Sequence, residues 1–119
     1  MPRPQVDKLV LCLNEAIANV IDHGELPDPP PAILLRLDIG AEATFNEASV
    51  TISDAGREFD PLSTKDRAHP TTLEEASARG MGIEMIRRCS DVLHYRREGG
   101  RNHLTFGTRW PNSTSATPR

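Results

Sequence analysis

The sequence predicts an α+β fold, a two-layer α/β sandwich with helices on one face of a mixed, mostly antiparallel sheet. Three observations carry that prediction. An amphipathic stretch opens the chain, strand-like runs come in two pairs, and a second amphipathic stretch starts at the closely spaced Gly80 and Gly82. The order is helix, two strands, a long polar segment, helix, two strands. Strands joined by short turns pair antiparallel, and amphipathic helices then cover their apolar face.

Each element has a local reason. Over residues 4–23, Val6, Leu9, Val10, Leu13, Ala16, Ile17, Val20 and Ile21 recur at helical spacing. Pro4 suits a first turn and Gly24 a stop. "LPDPPP" (26–31) is a stiff connector, neither helix interior nor central strand. "AILLRLDI" (32–39) reads as a strand, "GAEATFNEA" (40–48) as a turn region, and "SVTISD" (49–54) as a second strand with Val50 and Ile52 on one face. Residues 62–79 hold few core formers and read as a long loop or mobile flap, with a short helix at "TLEEASA" (72–78). A helix over "GMGIEMIRRCSDVL" (80–93) faces Ile83, Ile86 and Cys89 or Ser90 inward, and "VLHYRRE", "GG" and "RNHLTFGTRW" form a terminal hairpin. Residues 1–110 make one domain without internal repeats, and 111–119 are expected to be a disordered tail.

Bulk properties narrow the function. The chain has 119 residues and a net charge of −3, enough for one core and too near neutral for a sequence-independent phosphate-backbone binder. No apolar run is long enough to span a membrane, and "MPRPQVDKL" lacks a signal-peptide core, so a cytoplasmic protein is expected. Cys12 and Cys89 form no CxxC pair and read as buried thiols. His23, His69, His94 and His103 lack metal-ligand spacing.

Three polar clusters suggest chemistry. Glu15, Asn19 and His23 repeat every four residues and so stack along one helix face. A carboxylate there serves as a general base, and an amide oxygen binds a hard cation whose other ligands are phosphates and waters. In "DAGREFDP", Asp54 ends a strand, where its oxygens suit an exocyclic amine such as that of adenine, and Gly56 lets backbone approach a flat ring. In "RGMGI", glycines open a helix whose N-terminal N–H groups favour an anion. It is neither a Walker A loop nor a dinucleotide fingerprint, since no GK[ST] follows and Met85 stands where a third glycine would fall. Singly, these are equally a wet helix face, a plain turn and a hinge. Together and in this order they supply what Mg·ATP needs.

With those residues in view, roughly residues 5–109 resemble the ATPase domain shared by gyrase, the ninety-kilodalton heat-shock chaperone, histidine kinases and MutL (the Bergerat, histidine-kinase-like or GHKL fold). Within it the chain is most similar to the anti-sigma factor serine-protein kinases of RsbW type. "NEAIANVIDHG" resembles the N box, which implies Glu15 as general base and Asn19 as the Mg²⁺ ligand. "DAGREFDP" resembles the first glycine box, which implies Asp54 as the partner of the adenine amino group and Gly56 beside the nucleotide. "RGMGIEMIRRCSDVLHYRREGG" resembles the second glycine box with its helix and hairpin, so Arg79, Gly80, Met81, Gly82 and Ile83 would border the phosphates. The chain departs from the pattern at Glu58, where a second glycine is common. The usual threonine near the last strand has no clear match, and Asn102 and Thr105 are both open. The family's strand and helix ahead of the N box are expected to be missing, because the first helix starts almost at Met1.

The resemblance implies an ATP- and Mg²⁺-dependent serine/threonine-protein kinase acting as an anti-sigma factor. It would phosphorylate an anti-anti-sigma (STAS-domain) partner and regulate a bacterial sigma factor by partner switching, with no direct nucleic-acid or membrane contact and with homodimerisation open. The alternatives are a nucleotide-binding module that sequesters a partner without catalysis, and the ATPase half of a histidine kinase.

Overall fold

The computed structural model describes residues 1–29, 31–63 and 81–112. The expected flap beyond Ser63 with its short helix, Arg79, Gly80 and the tail from residue 113 lie outside the described residues.

Helix α1 spans Arg3–His23, with a proline in its first turn. Leu9, Cys12 and Ala16 are its buried positions, as the helical period requires. Gly24 closes it by donating its N–H to the Val20 carbonyl at 2.8 Å. A Cβ on Gly24 would lie 2.5 Å from that same carbonyl, so only glycine fits.

Strand β1 (Leu34–Ala41) and strand β2 (Phe45–Asp54) form an antiparallel hairpin, paired from Leu34↔Ser53 to Ala41↔Asn46. The strand expected at 32–39 thus starts two residues later, and the one expected at 49–54 extends back over residues assigned to a turn. The cause is tertiary. β2 is hydrogen-bonded to β1 on one side and to β4 (Arg101–Pro111) on the other, and two ladders carry polar Asn46 and Glu47 into the strand. Helix α2 spans Met81–Cys89, shorter than the expected 80–93. Asp91 donates its N–H to the Gly107 carbonyl at 2.8 Å and Val92 pairs with Gly107, so the strand begins at Val92, where "VLHYRRE" was expected to start it, and the helix ends before it. Strands β3 (Val92–Glu98) and β4 (Arg101–Pro111) are joined by Gly99 and Gly100 at φ 62° and 73°, a turn that needs the left-handed region at both central residues.

The sheet order is β1-β2-β4-β3 and every pairing is antiparallel. The described sheet is therefore wholly antiparallel, in keeping with the mostly antiparallel sheet expected; hairpins and direct neighbours account for every pair. The core lies between the helices and the central strands, with Ile83 and Ile86 of α2, Ala48, Val50 and Ile52 of β2, and Leu104 and Phe106 of β4 joining the α1 residues. The result is a two-layer α+β sandwich. Cys12 is buried in it and Cys89 only half-buried; both are free thiols. Burial, the largest influence, pushes the Cys12 thiol above its ordinary pKa. No described helix is long and apolar enough to cross a membrane.

Candidate functional site

The site forms where the C-terminal end of α1 meets the end of β2. Two glycines from different sequence clusters make that meeting possible. A Cβ on Gly56 would sit 2.6 Å from the Gly24 carbonyl oxygen and 3.0 Å from the Gly24 Cα, closer than a side chain tolerates. Bare backbone therefore passes bare backbone, and the Arg57 N–H reaches the Gly24 carbonyl at 2.8 Å. This contact is by itself a sufficient reason for glycine at 56, besides the close approach to a ring expected from the sequence. The Arg57 guanidinium adds an ion pair to Glu25 at 2.7 Å. It also lies 5.3 Å from the centre of the Phe59 ring, whose other neighbour is the His23 ring, stacked at 4.8 Å and 22°. His23, the third member of the polar line, thus braces the loop after β2.

Beneath this clasp lies a pocket lined by Ala16, Asn19, Val20, Asp54, Tyr95 and Asn102, with Phe59, Pro61, Gly24 and Leu104 completing it. Its polar floor is a single network. Asp54 is buried, and its Oδ1 accepts the Gly56 N–H at 2.9 Å and the Asn102 Nδ2–H at 3.1 Å. Among the described residues nothing is bonded to Asp54 Oδ2, so that oxygen is left to accept a ligand N–H. Asn102 is the hub: it also donates to the Arg57 carbonyl at 2.8 Å, and its Oδ1 accepts the Tyr95 hydroxyl at 2.5 Å and the Phe59 N–H at 3.3 Å. An amide is the side chain that donates and accepts at once, as this position demands. Burial first, and then the negative charge of exposed Glu58, raise the Tyr95 pKa, which keeps its hydroxyl protonated as a donor.

Of the open pair, Asn102 lines the pocket and Thr105 does not. Asn102 stands opposite Asp54 and faces the helices, whereas Thr105 stands opposite Thr51 and bonds its hydroxyl at 2.8 Å on the far face of the sheet. Only strand parity separates them, and parity follows from the Gly99–Gly100 turn.

Asn19 and Asp54 share the pocket, and Gly56 is fastened to Asp54. Glu15 is half-buried one helical turn before Asn19 and does not line the pocket itself. Met81 and Gly82 form the first turn of α2, where backbone N–H groups lack helical partners. Ile83 is 2% exposed and belongs to the core, so it can border an anion only through its backbone. α2 is tied to the pocket loop by Arg87, whose Nη2 donates to the Leu62 carbonyl at 2.7 Å.

The donor set fits a nucleotide with a divalent cation. An apolar slot closed by one carboxylate oxygen suits a purine bearing an amino group. The cavity volume is ≈ 30 Å³, room for a water or two and too small for a purine unless lining side chains are displaced. Among the described residues no cluster of three or more His, Cys, Asp or Glu side chains could hold a metal. A cation here would depend on the Asn19 amide oxygen together with ligand phosphates, the mode in which Mg²⁺ is commonly held.

Over residues 1–108 the chain matches the histidine kinase-like ATPase domain, and it belongs to that family. Among curated proteins it is similar to the serine/threonine-protein kinase BtrW of Bordetella bronchiseptica, with 35% identity over 98 residues. That match covers 82% of this chain and 66% of BtrW, so the chain spans just under two thirds of the relative's length. No solved structure matches the chain.

Proposed function

We propose that this chain is an ATP-dependent serine/threonine-protein kinase of the anti-sigma type. It would move the γ-phosphoryl group of Mg·ATP to a hydroxyl of a STAS-domain anti-anti-sigma partner, and so control a sigma factor by partner switching in the cytoplasm. The observation that supports it best is the meeting of Asn19 and Asp54 in one pocket, with Glu15 one turn away, in a chain similar to a named serine/threonine kinase.

Each residue has a distinct task. Asp54 Oδ2 accepts an N–H of the adenine amino group, while Asn102 and Gly56 hold the carboxylate in place through Oδ1. Asn19 offers its amide oxygen to Mg²⁺, which when bound neutralises phosphate charge. Glu15 takes the proton of the attacking hydroxyl as its oxygen bonds to phosphorus and the bond to the departing ADP oxygen breaks. The first-turn N–H groups of α2 favour the phosphate charge. The phosphoryl group adds roughly −2 charge to the product, which favours its release from this acidic chain.

Calorimetric titration with ATP, with and without Mg²⁺, tests the pocket. Binding that strengthens with Mg²⁺ in the wild type and not in Asn19→Ala is the expected result; no binding at all refutes the reading. Glu15→Gln is expected to keep ATP affinity and lose at least about a hundredfold in transfer to a STAS-domain substrate. Undiminished transfer would remove Glu15 as the base.

A further inference from the structure

Cys12 and Cys89 stand far apart in the chain, and neither lines the nucleotide pocket. The fold nevertheless brings them together. Helix α1 packs directly on α2, whose last residue is Cys89. The Cys12 sulfur lies 3.8 Å from the hydroxyl oxygen of Ser90, the residue directly after Cys89. Burial raises the Cys12 pKa, the Ser90 bond opposes the rise, and the Cys89 thiol beside it adds to the rise through charge and a hydrogen bond. Their exposure differs: Cys12 is fully buried, whereas Cys89 is half-buried against the same core. One thiol is thus within reach of an oxidant, and a sheltered thiol lies next to it.

We propose that Cys12 and Cys89 are a reversible disulfide site, closed by hydrogen peroxide and opened by dithiols, that staples the end of α2 to α1. The Cys89 sulfur attacks one oxygen of the peroxide and the O–O bond breaks, giving a Cys89 sulfenic acid and water. The Cys12 sulfur then attacks the Cys89 sulfur. The S–S bond forms as the S–O bond breaks, and the departing oxygen leaves as water with the Cys12 proton. Two thiols together lose two electrons and one peroxide gains them. A dithiol reverses the bond by two successive exchanges. The staple falls close to the site. Cys12 lies three residues before Glu15, on the helix that also carries Asn19. Arg87 of α2 holds the Leu62 carbonyl, next to Pro61 of the pocket wall. A bond between the helices therefore fixes α2, and with it the loop whose side chains a purine must displace. That consequence rests on the nucleotide reading proposed above; the bond itself does not.

Peroxide treatment of the full chain, followed by tryptic mass mapping of the intact monomer without reductant, tests the bond. Residues 9–36 and 89–96 are expected as one linked peptide, two hydrogens lighter than their sum, and dithiothreitol should separate them. Cys89→Ser and Cys12→Ala, checked for folding by circular dichroism, should both lose the link. Cys12→Ala should instead leave a Cys89 sulfenic acid that dimedone traps. The linked chain is expected to melt at least about 5 °C above the reduced one, since the bond closes a long loop of the unfolded chain. In calorimetry its ATP affinity should fall about tenfold and return with dithiothreitol. Peroxide-treated Cys89→Ser should keep the affinity of the reduced wild type. The site is refuted when peroxide leaves both thiols free, or links only separate chains. Undiminished ATP affinity in the fully linked chain overturns the coupling to the pocket. A reduced wild type that binds no ATP overturns the nucleotide reading instead, and the linked peptide still decides the disulfide.

Discussion

β1 and β2 are neighbours in one sheet, and their fates differ. β1 carries Leu34, Leu35, Leu37 and Ile39 within eight residues, yet is exposed throughout. β2 carries Asn46, Glu47, Ser49, Ser53 and Asp54 within ten, yet buries Ala48 and Ile52 to within 1% and holds Asp54 beneath the pocket. Hydropathy ranks these strands the wrong way round. What decides burial is place: β2 has a strand on either side and a helix above, whereas among the described residues β1 has one strand neighbour and no helix over it. An apolar strand at the edge can thus stay exposed while a polar strand in the centre carries the pocket.

The contrast can be broken experimentally, most strongly at the centre. Phe106→Ala on β4, fully buried opposite Val50, is expected to cost about 3–5 kcal/mol in urea unfolding. At the pocket, Asn102→Ala strands the Tyr95 hydroxyl and the Phe59 N–H and loosens Asp54. About 2 kcal/mol of stability should go, together with ATP affinity. Thr108 sits in the core with its hydroxyl unbonded among the described residues. Thr108→Val is therefore expected to raise stability by about 1 kcal/mol; a loss would show that the hydroxyl has a partner. By contrast, Leu35→Thr should change unfolding of the monomer by less than about 0.5 kcal/mol, although Leu35 is as apolar as any core residue. The smallest effect is ionic. Because Tyr95 has its pKa raised in the folded chain, its contribution is present below pH about 10 and declines as pH rises further. Tyr95→Phe should flatten that alkaline limb in denaturation curves.

Legibility followed the range of the interaction. Glu15 and Asn19 could be placed on one helix flank because their spacing is a local property of α1, and Asp54 could be placed at a strand end because turn residues follow at once. Asn102 could not be chosen over Thr105, since the choice rests on the register of a hairpin whose facing strands are distant in sequence. The Gly24–Gly56 contact was equally hidden, because two glycines in separate motifs carry no mark that they will touch. His23, the third member of the polar line, stacks on Phe59, a residue of another cluster.

The sequence by itself determined the element order, the helix period and turn residues that produce it, and three polar clusters whose combination points to a nucleotide. These rest on hydrogen bonds and side-chain spacings within a few residues of each other. Only the tertiary structure decided that β2 runs back to Phe45, that α2 ends at Cys89, that Asn102 is the pocket's hub, and that the most apolar strand is left bare. Each of those depends on which strand lies beside which, and neighbours in a sheet are chosen by the summed burial of the whole chain.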